Sequence, residues 1–347
     1  MLRMFNGQTA DEVWQRIAST FRSGDGIKEQ PSRAGPTREI LHAAISVANP
    51  LLRWVPSRKP PINPAFAIAE IVWIMTGRKD SAFLNYFNRE LPKYAGEDNA
   101  YHGAYGHRLR CHLGFDQLEH AYCALKQKPY SRQVVLQIWD SRVDLPGLDG
   151  EESAPDVPCN IMSMLKVRSG KLEWMQIIRS SDVYRGLPYD FVQFTTLQEV
   201  IGGWLGLELG SYHLIADSLH VYNDCLGHIN ASSPIEVAQN TDSLALPKEE
   251  SEKTFNALGH QIDMITNPDV SADELASVLR RSRFPQAFRN MHCVLSAEGV
   301  RRRRRPDLID QIMAECTNPA YKQLFQLWLA RFSGAQSTAS KHLSVDH

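Results

Sequence analysis

The chain has 347 residues, of which 43% are hydrophobic and 22% are charged, and its formal net charge is −1. This composition is typical of a soluble globular protein, and the near-zero charge gives no indication of a polyanionic partner. The sequence contains no run of about 18 apolar residues and no apolar secretory leader at its start, so we expect no membrane segment. Six scattered cysteines without a CxxC pair argue against both a disulfide framework and a zinc site. We therefore expect a cytoplasmic protein without a metal ion.

The first part of the chain predicts both helices and strands. Thr9-Ala10-Asp11-Glu12 is typical of a capping box that opens a helix. Residues 65–75 are apolar on nearly every side and interrupted only by Glu70, which predicts a buried helix. Residues 133–139 have strand composition, and an acidic loop rich in Gly and Pro follows at 140–158.

A hairpin and a helix-strand pair complete this mixed α/β part. Residues 161–167 and 172–178 flank Ser169-Gly170, a typical two-residue hairpin turn. A helix is predicted from about Phe194 to Leu205, and a strand from Tyr212 to Ala216.

After residue 230 the pattern becomes helical. Ser271 begins a second capping box, Pro306 is typical of a first helical turn, and residues 319–332 carry a Leu/Phe/Trp stripe. We expect an α/β domain at 1–230, a helical extension packed on it at 231–332, and a disordered polar tail at 333–347.

Four short motifs follow one another in the middle of the chain. Pro158-Cys159-Asn160 lies between the acidic loop and a predicted strand. It is followed by Arg179-Ser180-Ser181-Asp182, then Gly186-Leu187-Pro188-Tyr189-Asp190, then His220-Val221-Tyr222. A lone cysteine after proline is usually structural, and a single arginine is usually a surface charge. The order of the four motifs, rather than any one residue, indicates a functional site.

This order resembles the thymidylate synthase family, and the closer likeness is to its cytosine-specific hydroxymethylases. Upstream segments extend the likeness: the helix around Glu70, Gly103-Ala104-Tyr105-Gly106, Ser131-Arg132 and Ser32-Arg33. The resemblance covers about residues 32–222. It implies an α/β (α+β) fold with a large mixed sheet flanked by helices, and a homodimer in which Arg132 reaches the partner's site.

The resemblance also implies the chemistry. C5 of a pyrimidine becomes nucleophilic once a thiolate adds to C6, and Cys159 is the expected nucleophile, with Arg179 lowering its pKa. The one-carbon donor is then 5,10-methylenetetrahydrofolate. Glu70 positions water for proton transfer, and Tyr105 takes part in proton removal at C5. The other implied roles are phosphate binding by Arg33, Arg132, Arg179 and Ser180, sugar binding by His220 and Tyr222, and co-substrate binding by Asp182, Gly186 and Tyr189.

Asp190 stands where the uracil-specific enzymes of this family have asparagine. Cytosine presents an N3 acceptor beside a 4-amino donor, which a carboxyl group matches when one proton is shared. An ionised carboxylate offers no donor to O4 of uracil, a buried mismatch that costs on the order of a few kcal/mol. Asn160 after the cysteine also resembles the cytosine enzymes. We therefore expect a CMP or dCMP 5-hydroxymethylase; the alternative for Asp190 is a helix-capping or loop acid that touches no base.

Three other functions remain open from the sequence. One is thymidylate synthesis from dUMP, and another is a catalytically silent homologue that binds a nucleotide or nucleic acid. The run Arg301–Arg305 would suit the latter, although a solvated basic turn is the simpler interpretation. A cytosine methyltransferase acting on DNA would need a Gly-rich cofactor motif, and no GxGxxG occurs in the sequence.

Overall fold

A seven-stranded mixed sheet forms the centre of the molecule, and a computed structural model describes residues 2–339. Its strands are β1 (Arg3–Gly7), β2 (Lys28–Gln30), β3 (Thr37–Val47), β4 (Val135–Gln137), β5 (Asn160–Arg168), β6 (Lys171–Asp182) and β7 (Glu208–Tyr222). Their order is β1-β3-β7-β6-β5-β4, and β2 pairs with β3. The β1–β3 and β6–β7 pairs are parallel and the others antiparallel. The predicted mixed sheet is therefore confirmed.

Helices surround this sheet. They are α1 (Ala10–Ser23), α2 (Pro64–Met75), α3 (Ser81–Asn85), α4 (Pro92–Ala95), α5 (Tyr105–His107), α6 (Gln117–Gln127), α7 (Ser141–Asp144), α8 (Leu187–Leu205), α9 (Leu226–Ala231), α10 (Lys248–Thr266), α11 (Ala272–Arg281), α12 (Gln286–Arg302), α13 (Pro306–Glu315) and α14 (Pro319–Ala339). Both predicted caps form: Thr9 Oγ1 accepts from the Glu12 amide at 3.0 Å, and Ser271 Oγ from the Glu274 amide at 3.2 Å. No helix within residues 2–339 is long and apolar enough to span a bilayer.

The helix α2 is the buried helix predicted at residues 65–75, and all its residues except Glu70 are buried. It packs against α8, and α10 and α12 also contact it. The short helix α5 also lies on α2, because a Cβ atom at Gly106 would sit 2.5 Å from the Ile74 Cα and leaves no room for a side chain. This contact places α5, which begins at Tyr105, against the helix that carries Glu70.

Two predicted elements are longer in the structure. The helix α8 begins at Leu187 rather than near Phe194, since the Gly-Leu-Pro motif forms its first turn and proline suits that position. The strand β7 extends from Glu208 to Tyr222, because alternating burial continues on both sides of residues 212–216. The predicted hairpin forms as expected, with positive φ at Ser169 (49°) and Gly170 (75°).

The C-terminal helices share the hydrophobic core of the rest of the chain. A polar cluster also joins them to the preceding segment: the Asp242 carboxylate accepts from Asn290 Nδ2 at 2.9 Å and from Asn318 Nδ2 at 2.8 Å. The division at residues 230 and 332 stays a prediction. Helix α14 continues to Ala339, and residues 340–347 of the expected tail lie outside the described residues.

The arginine run is not a solvated turn. Arg301 and Arg302 both bind the buried Glu298 carboxylate with 2.7 Å bonds. Arg303 donates to the carbonyls of residues 265, 267 and 270, and Arg305 pairs with Asp273 and Asp307. These cations lie at the C-terminal end of α12, where positive charge is favourable. Internal contacts thus account for four of the five side chains.

Candidate active site

One cleft of about 1140 Å³ collects nearly all of the predicted site residues. Its lining includes Arg33, Glu70, Tyr105, Cys159, Arg179, Ser180, Asp182, Gly186, Tyr189, Asp190, His220 and Tyr222. Arg132 is the exception: its side chain is exposed and it does not line the cleft. Residues separated by almost 190 positions in the chain therefore meet in one place.

The loop that presents Cys159 is held by Arg179 on the neighbouring strand β6. The Arg179 amide donates to the Cys159 carbonyl at 2.9 Å. Its guanidinium donates through Nε to the Pro158 carbonyl and through Nη2 to that of Val157, both at 3.0 Å. The loop conformation that exposes the thiol thus depends on this side chain.

The thiol of Cys159 is less acidic than that of a free cysteine. Burial raises the pKa of Cys159 to about 11, although the positive charge of Arg179 opposes this shift. Asp190, Asp156 and Asp182 add smaller contributions that raise the pKa further. Arg179 thus has the predicted lowering effect on the pKa of the thiol, but burial has a larger effect in the opposite direction.

Glu70 is the only residue of α2 that is partly exposed, and it faces the cleft, although its Oε2 atom is buried. Burial raises the pKa of its carboxyl to about 8, the hydrogen bond from Gln193 opposes this, and the nearby Asp190 adds to it. Glu70 Oε2 and Gln193 Oε1 are buried and accept no hydrogen bond from any described residue. Two acceptors close together in a cleft suit a bound water molecule.

Asp190 lies in the first turn of α8, whose N-cap is Gly186. The capping interpretation of Asp190 is therefore wrong. Its Oδ1 accepts from Asn160 Nδ2 at 3.1 Å. Burial raises the pKa of Asp190 to about 7, and the Asn160 hydrogen bond opposes the rise. Near neutral pH this carboxyl can therefore either donate or accept a proton.

Tyr105 lies beside the same asparagine. Burial raises the pKa of Tyr105 well above its usual value, with Cys159 and Asp190 adding to the rise and the Asn160 hydrogen bond opposing it. Its ring is 6.0 Å from that of Phe194 on α8. The phenol is thus a neutral hydroxyl close to both the thiol and Asp190.

Asp182 and His220 are partners on adjacent strands β6 and β7. Asp182 Oδ1 accepts from the amides of Tyr184 and Arg185 at 2.7 and 2.8 Å. Its Oδ2 is buried and accepts no hydrogen bond from the described residues. Burial raises the pKa of Asp182 and lowers that of His220, so the imidazole is neutral at pH 7.

Several cleft residues were not predicted from the sequence. Gln193 lies one helical turn after Asp190 and could have been placed by helical spacing. Arg58, Trp328 and Arg331 could not have been placed in this way. Trp328 and Arg331 belong to α14, which is far from the motifs in the chain. Arg33 lies where expected, but its guanidinium is paired with Glu152 and donates to the Pro155 carbonyl at 3.2 Å.

The raised pKa of Glu70 predicts a pH-dependent stability difference for Glu70→Gln. Below pH 4 the carboxyl is protonated in both folded and unfolded chains. Between its unfolded pKa and about 8 only the unfolded chain ionises, so this group destabilises the fold increasingly as pH rises. The variant should therefore be more stable than the wild type by on the order of 4 kcal/mol at pH 8 and nearly equal to it at pH 4.

Thermal unfolding at both pH values measures this difference. Glu250→Gln, at an exposed position of α10, is the matched control and should show the same small effect at each pH. A Glu70→Gln variant that gains no stability between pH 4 and pH 8 would contradict the raised pKa.

Comparison with known proteins gives the same family as the motifs. The thymidylate synthase family model matches residues 56–266, which end with α10. The chain is 33% identical over 235 residues to a deoxyuridylate hydroxymethyltransferase of Bacillus phage SP01, covering 64% of this chain and 60% of that protein. It is 29% identical over 234 residues to a protein of the same name from Pseudomonas phage M6, covering 64% of each chain.

A third relative lies outside the phages. A putative thymidylate synthase of Methanothermobacter marburgensis is 26% identical over 230 residues, covering 66% of this chain and 95% of that protein. The chain thus spans less than two thirds of the length of the two phage relatives. Enzymes of the matched family transfer a one-carbon unit to pyrimidine nucleotides, with methylenetetrahydrofolate as co-substrate. By its family match over more than half its length, by its mixed sheet and by the cleft around Cys159, this chain belongs to the thymidylate synthase family.

Proposed function

We propose that this protein is a CMP or dCMP 5-hydroxymethylase that uses 5,10-methylenetetrahydrofolate and a covalent bond between Cys159 Sγ and C6 of the base. The observation that carries the proposal is Asp190, a buried carboxyl in the same cleft as Cys159 that can give or take a proton near neutral pH. A carboxyl with one shared proton matches the N3 and 4-amino group of cytosine.

Addition to the base needs a proton balance at Cys159. The thiol proton passes to the ionised carboxylate of Asp190 as the Sγ–C6 bond forms, and the electron pair of the C5–C6 double bond moves through C4 to N3. Asp190 stabilises that charge by donating to N3, which lowers the barrier because the site is dry. The proton that later leaves C5 passes to the polar groups of the cleft, for which Tyr105 and a water molecule held by Glu70 and Gln193 are the candidates.

The cleft also suits a folate. The Oδ2 atom of Asp182 is a buried acceptor without a donor among the described residues, as a pterin with its N–H groups requires. On the same side of the cleft, Arg58 stacks on Tyr184 at 3.9 Å and Arg331 on Trp328 at 4.6 Å. Neither guanidinium pairs with a carboxylate among the described side chains, so both can bind the glutamate carboxylates of a folate. When bound, the folate supplies the one-carbon unit.

Two observations favour a hydroxymethyl over a methyl product. Both phage relatives bear the name hydroxymethyltransferase. The acceptors of Glu70 and Gln193 can also hold a water molecule inside the cleft, and water rather than hydride completes a hydroxymethyl group.

A second candidate is the same reaction on a uracil nucleotide. It is favoured by the names of the phage relatives, which specify deoxyuridylate, and by the pKa of about 7 for Asp190. A neutral carboxyl can donate to O4 as well as accept from N3–H. The base preference must therefore be measured.

The first test follows tritium release from C5-labelled CMP, dCMP and dUMP, with and without methylenetetrahydrofolate. We expect release from a cytosine nucleotide and a product mass that corresponds to hydroxymethylation. Cys159→Ser should remove turnover by at least about 10³-fold while nucleotide binding persists, because the hydroxyl is a far weaker nucleophile. Cys123→Ser, at an exposed cysteine, is the control and should be fully active. Absence of release from all three nucleotides would overturn the proposed function.

Asp190→Asn tests the reading of the base. An amide matches N3–H and O4 of uracil with its oxygen and its NH2 group. The ratio of kcat/KM for the cytosine over the uracil nucleotide should fall by about 10²-fold. An unchanged ratio would exclude Asp190 from base recognition.

We also propose a homodimer in which Arg132 completes the phosphate site of the partner subunit. The support is its exposed side chain outside the cleft, while Arg33, Arg179 and Ser180 lie inside it. Arg132→Ala and Cys159→Ser should each be inactive as homodimers. After subunit exchange, about a quarter of wild-type activity should return, because each mixed dimer has one intact site. Full activity of Arg132→Ala, or no recovery after verified exchange, would contradict shared sites.

A further inference from the structure

A chain of buried hydrogen bonds leads from the hairpin β5–β6 to Asp190. Trp174 Nε1 donates to Gln176 Oε1 at 3.2 Å, and Ser163 Oγ donates to the same oxygen at 2.6 Å. Gln176 Nε2 donates to Asn160 Oδ1 at 2.8 Å. Asn160 Nδ2 donates to Asp190 Oδ1 at 3.1 Å. Except for Asp190, at 7% exposure, these side chains are at most 1% exposed.

The direction of this chain is fixed at its far end. An indole N–H can only donate, so the Gln176 oxygen must face Trp174 and its NH2 group must face Asn160. The Asn160 amide is oriented in turn, with its own NH2 group toward Asp190. Without this anchor either amide could turn over, since oxygen and NH2 have nearly the same shape.

A β-bulge brings Asn160 into the chain. Strand register shifts between Asn160 and Met162, and Asn160 therefore lies on the same buried face as Ser163. In a regular strand, residues three apart point to opposite faces. The bulge thus turns the residue after the nucleophile toward the carboxyl that faces the cleft.

This direction decides which oxygen of Asp190 accepts. Oδ1 receives the Asn160 hydrogen bond, so the shared proton of the carboxyl belongs on Oδ2. The two bases need opposite arrangements of donor and acceptor on the carboxyl group. Cytosine needs an acceptor for its 4-amino group and a donor to N3. Uracil needs a donor to O4 and an acceptor for its N3–H. A carboxyl that can exchange its two oxygens freely matches both bases, whereas a fixed one matches only one.

We propose that Trp174, Gln176 and Asn160 form a positioning relay that fixes Asp190 Oδ1 as the acceptor for the 4-amino group and so selects cytosine over uracil nucleotides. This inference rests on the proposed function of the cleft. Trp174 and Gln176 touch no substrate; they act through Asn160.

Gln176→Glu tests the relay with an almost isosteric change. A carboxylate at this position accepts from Trp174, Ser163 and Asn160, so the Asn160 amide turns over and presents its oxygen to Asp190. The proton of Asp190 is then needed on Oδ1. We expect the cytosine-to-uracil ratio of kcat/KM to fall at least about tenfold. The alkaline limb of the pH profile should move to higher pH, because a carbonyl neighbour favours the protonated carboxyl.

Two further variants separate direction from packing. Trp174→Phe keeps a ring but removes the donor that sets the direction, and should lower the ratio by about threefold to tenfold. Ser163→Ala removes a hydroxyl from the same oxygen but leaves the indole donor, and should change the ratio less than about twofold. Thermal unfolding of each variant shows whether it is folded.

The outcomes distinguish the relay from the function. A wild type that prefers cytosine, with folded Gln176→Glu and Trp174→Phe variants that keep the same ratio, overturns the relay and leaves the proposed function in place. A wild type that turns over a cytosine nucleotide without preferring it to the matching uracil nucleotide overturns the relay alone, and a wild type that acts on no cytosine nucleotide overturns the proposed function as well. If Ser163→Ala and Trp174→Phe lower the cytosine-to-uracil ratio equally, the effect comes from packing rather than from the direction of the hydrogen bonds, and the relay is overturned too.

Discussion

The exclusion of water from the ionisable groups around Cys159 is the constraint on which the site depends. Burial is the largest cause of the raised pKa at Cys159, Glu70 and Asp190, and in each case a polar partner opposes it with a smaller effect. At neutral pH, without a substrate, the Cys159 thiol and a large fraction of the Glu70 and Asp190 carboxyl groups therefore remain protonated. Forming the thiolate costs about 3 kcal/mol more than in a free cysteine. Ionisation of these groups stays unfavourable until a substrate supplies hydrogen bonds that compensate for the missing water.

Arg179 shows how one cation serves both the fold and the site. Two of its donors hold the carbonyls of residues 157 and 158, which fixes the loop before β5. A guanidinium has five N–H donors, so Nη1 and the second hydrogen of Nη2 remain for an anion. The same side chain can thus position Cys159 and bind an anion. Lysine has one nitrogen and could not do both in this geometry.

One of the C-terminal helices, α14, forms part of the cleft. Helices α10, α12 and α14 contact α2, α10 also contacts α8, and α14 brings Trp328 and Arg331 to the lining. A buried ion pair, Arg53 with Glu199, lies in this region, and Glu199 also accepts from the Leu244 amide at 2.7 Å. Amphipathic patterns predicted these helices because local spacing determines them. Their packing partners depend on contacts between distant residues, which no local pattern contains.

The same distinction explains which parts of the candidate site could be predicted. The positions of Cys159, Asp182 and Asp190 followed from the order of motifs, and the buried helix around Glu70 followed from apolar residues on every side. The two-residue turn at Ser169-Gly170 even fixes the pairing of Ser163 with Gln176 by counting outward from the turn. Two features were beyond this reasoning. The pKa of Cys159 depends on how much water the assembled cleft excludes, so the charge of Arg179 alone did not determine its net direction.

The second feature is the bulge at the start of β5. An extra residue in a strand leaves no signature in composition, yet it moves Asn160 from one face of the sheet to the other. Regular alternation would have placed Asn160 opposite Ser163 and away from Gln176, and Asp190 would have lost its hydrogen-bond donor. Because burial already disfavours the charged carboxyl, the loss of that donor would raise the pKa of Asp190 further and leave either oxygen free to hold the proton. One inserted residue next to Cys159 therefore gives Asp190 the hydrogen bond that opposes the effect of burial on its pKa, and it sets the direction of that hydrogen bond.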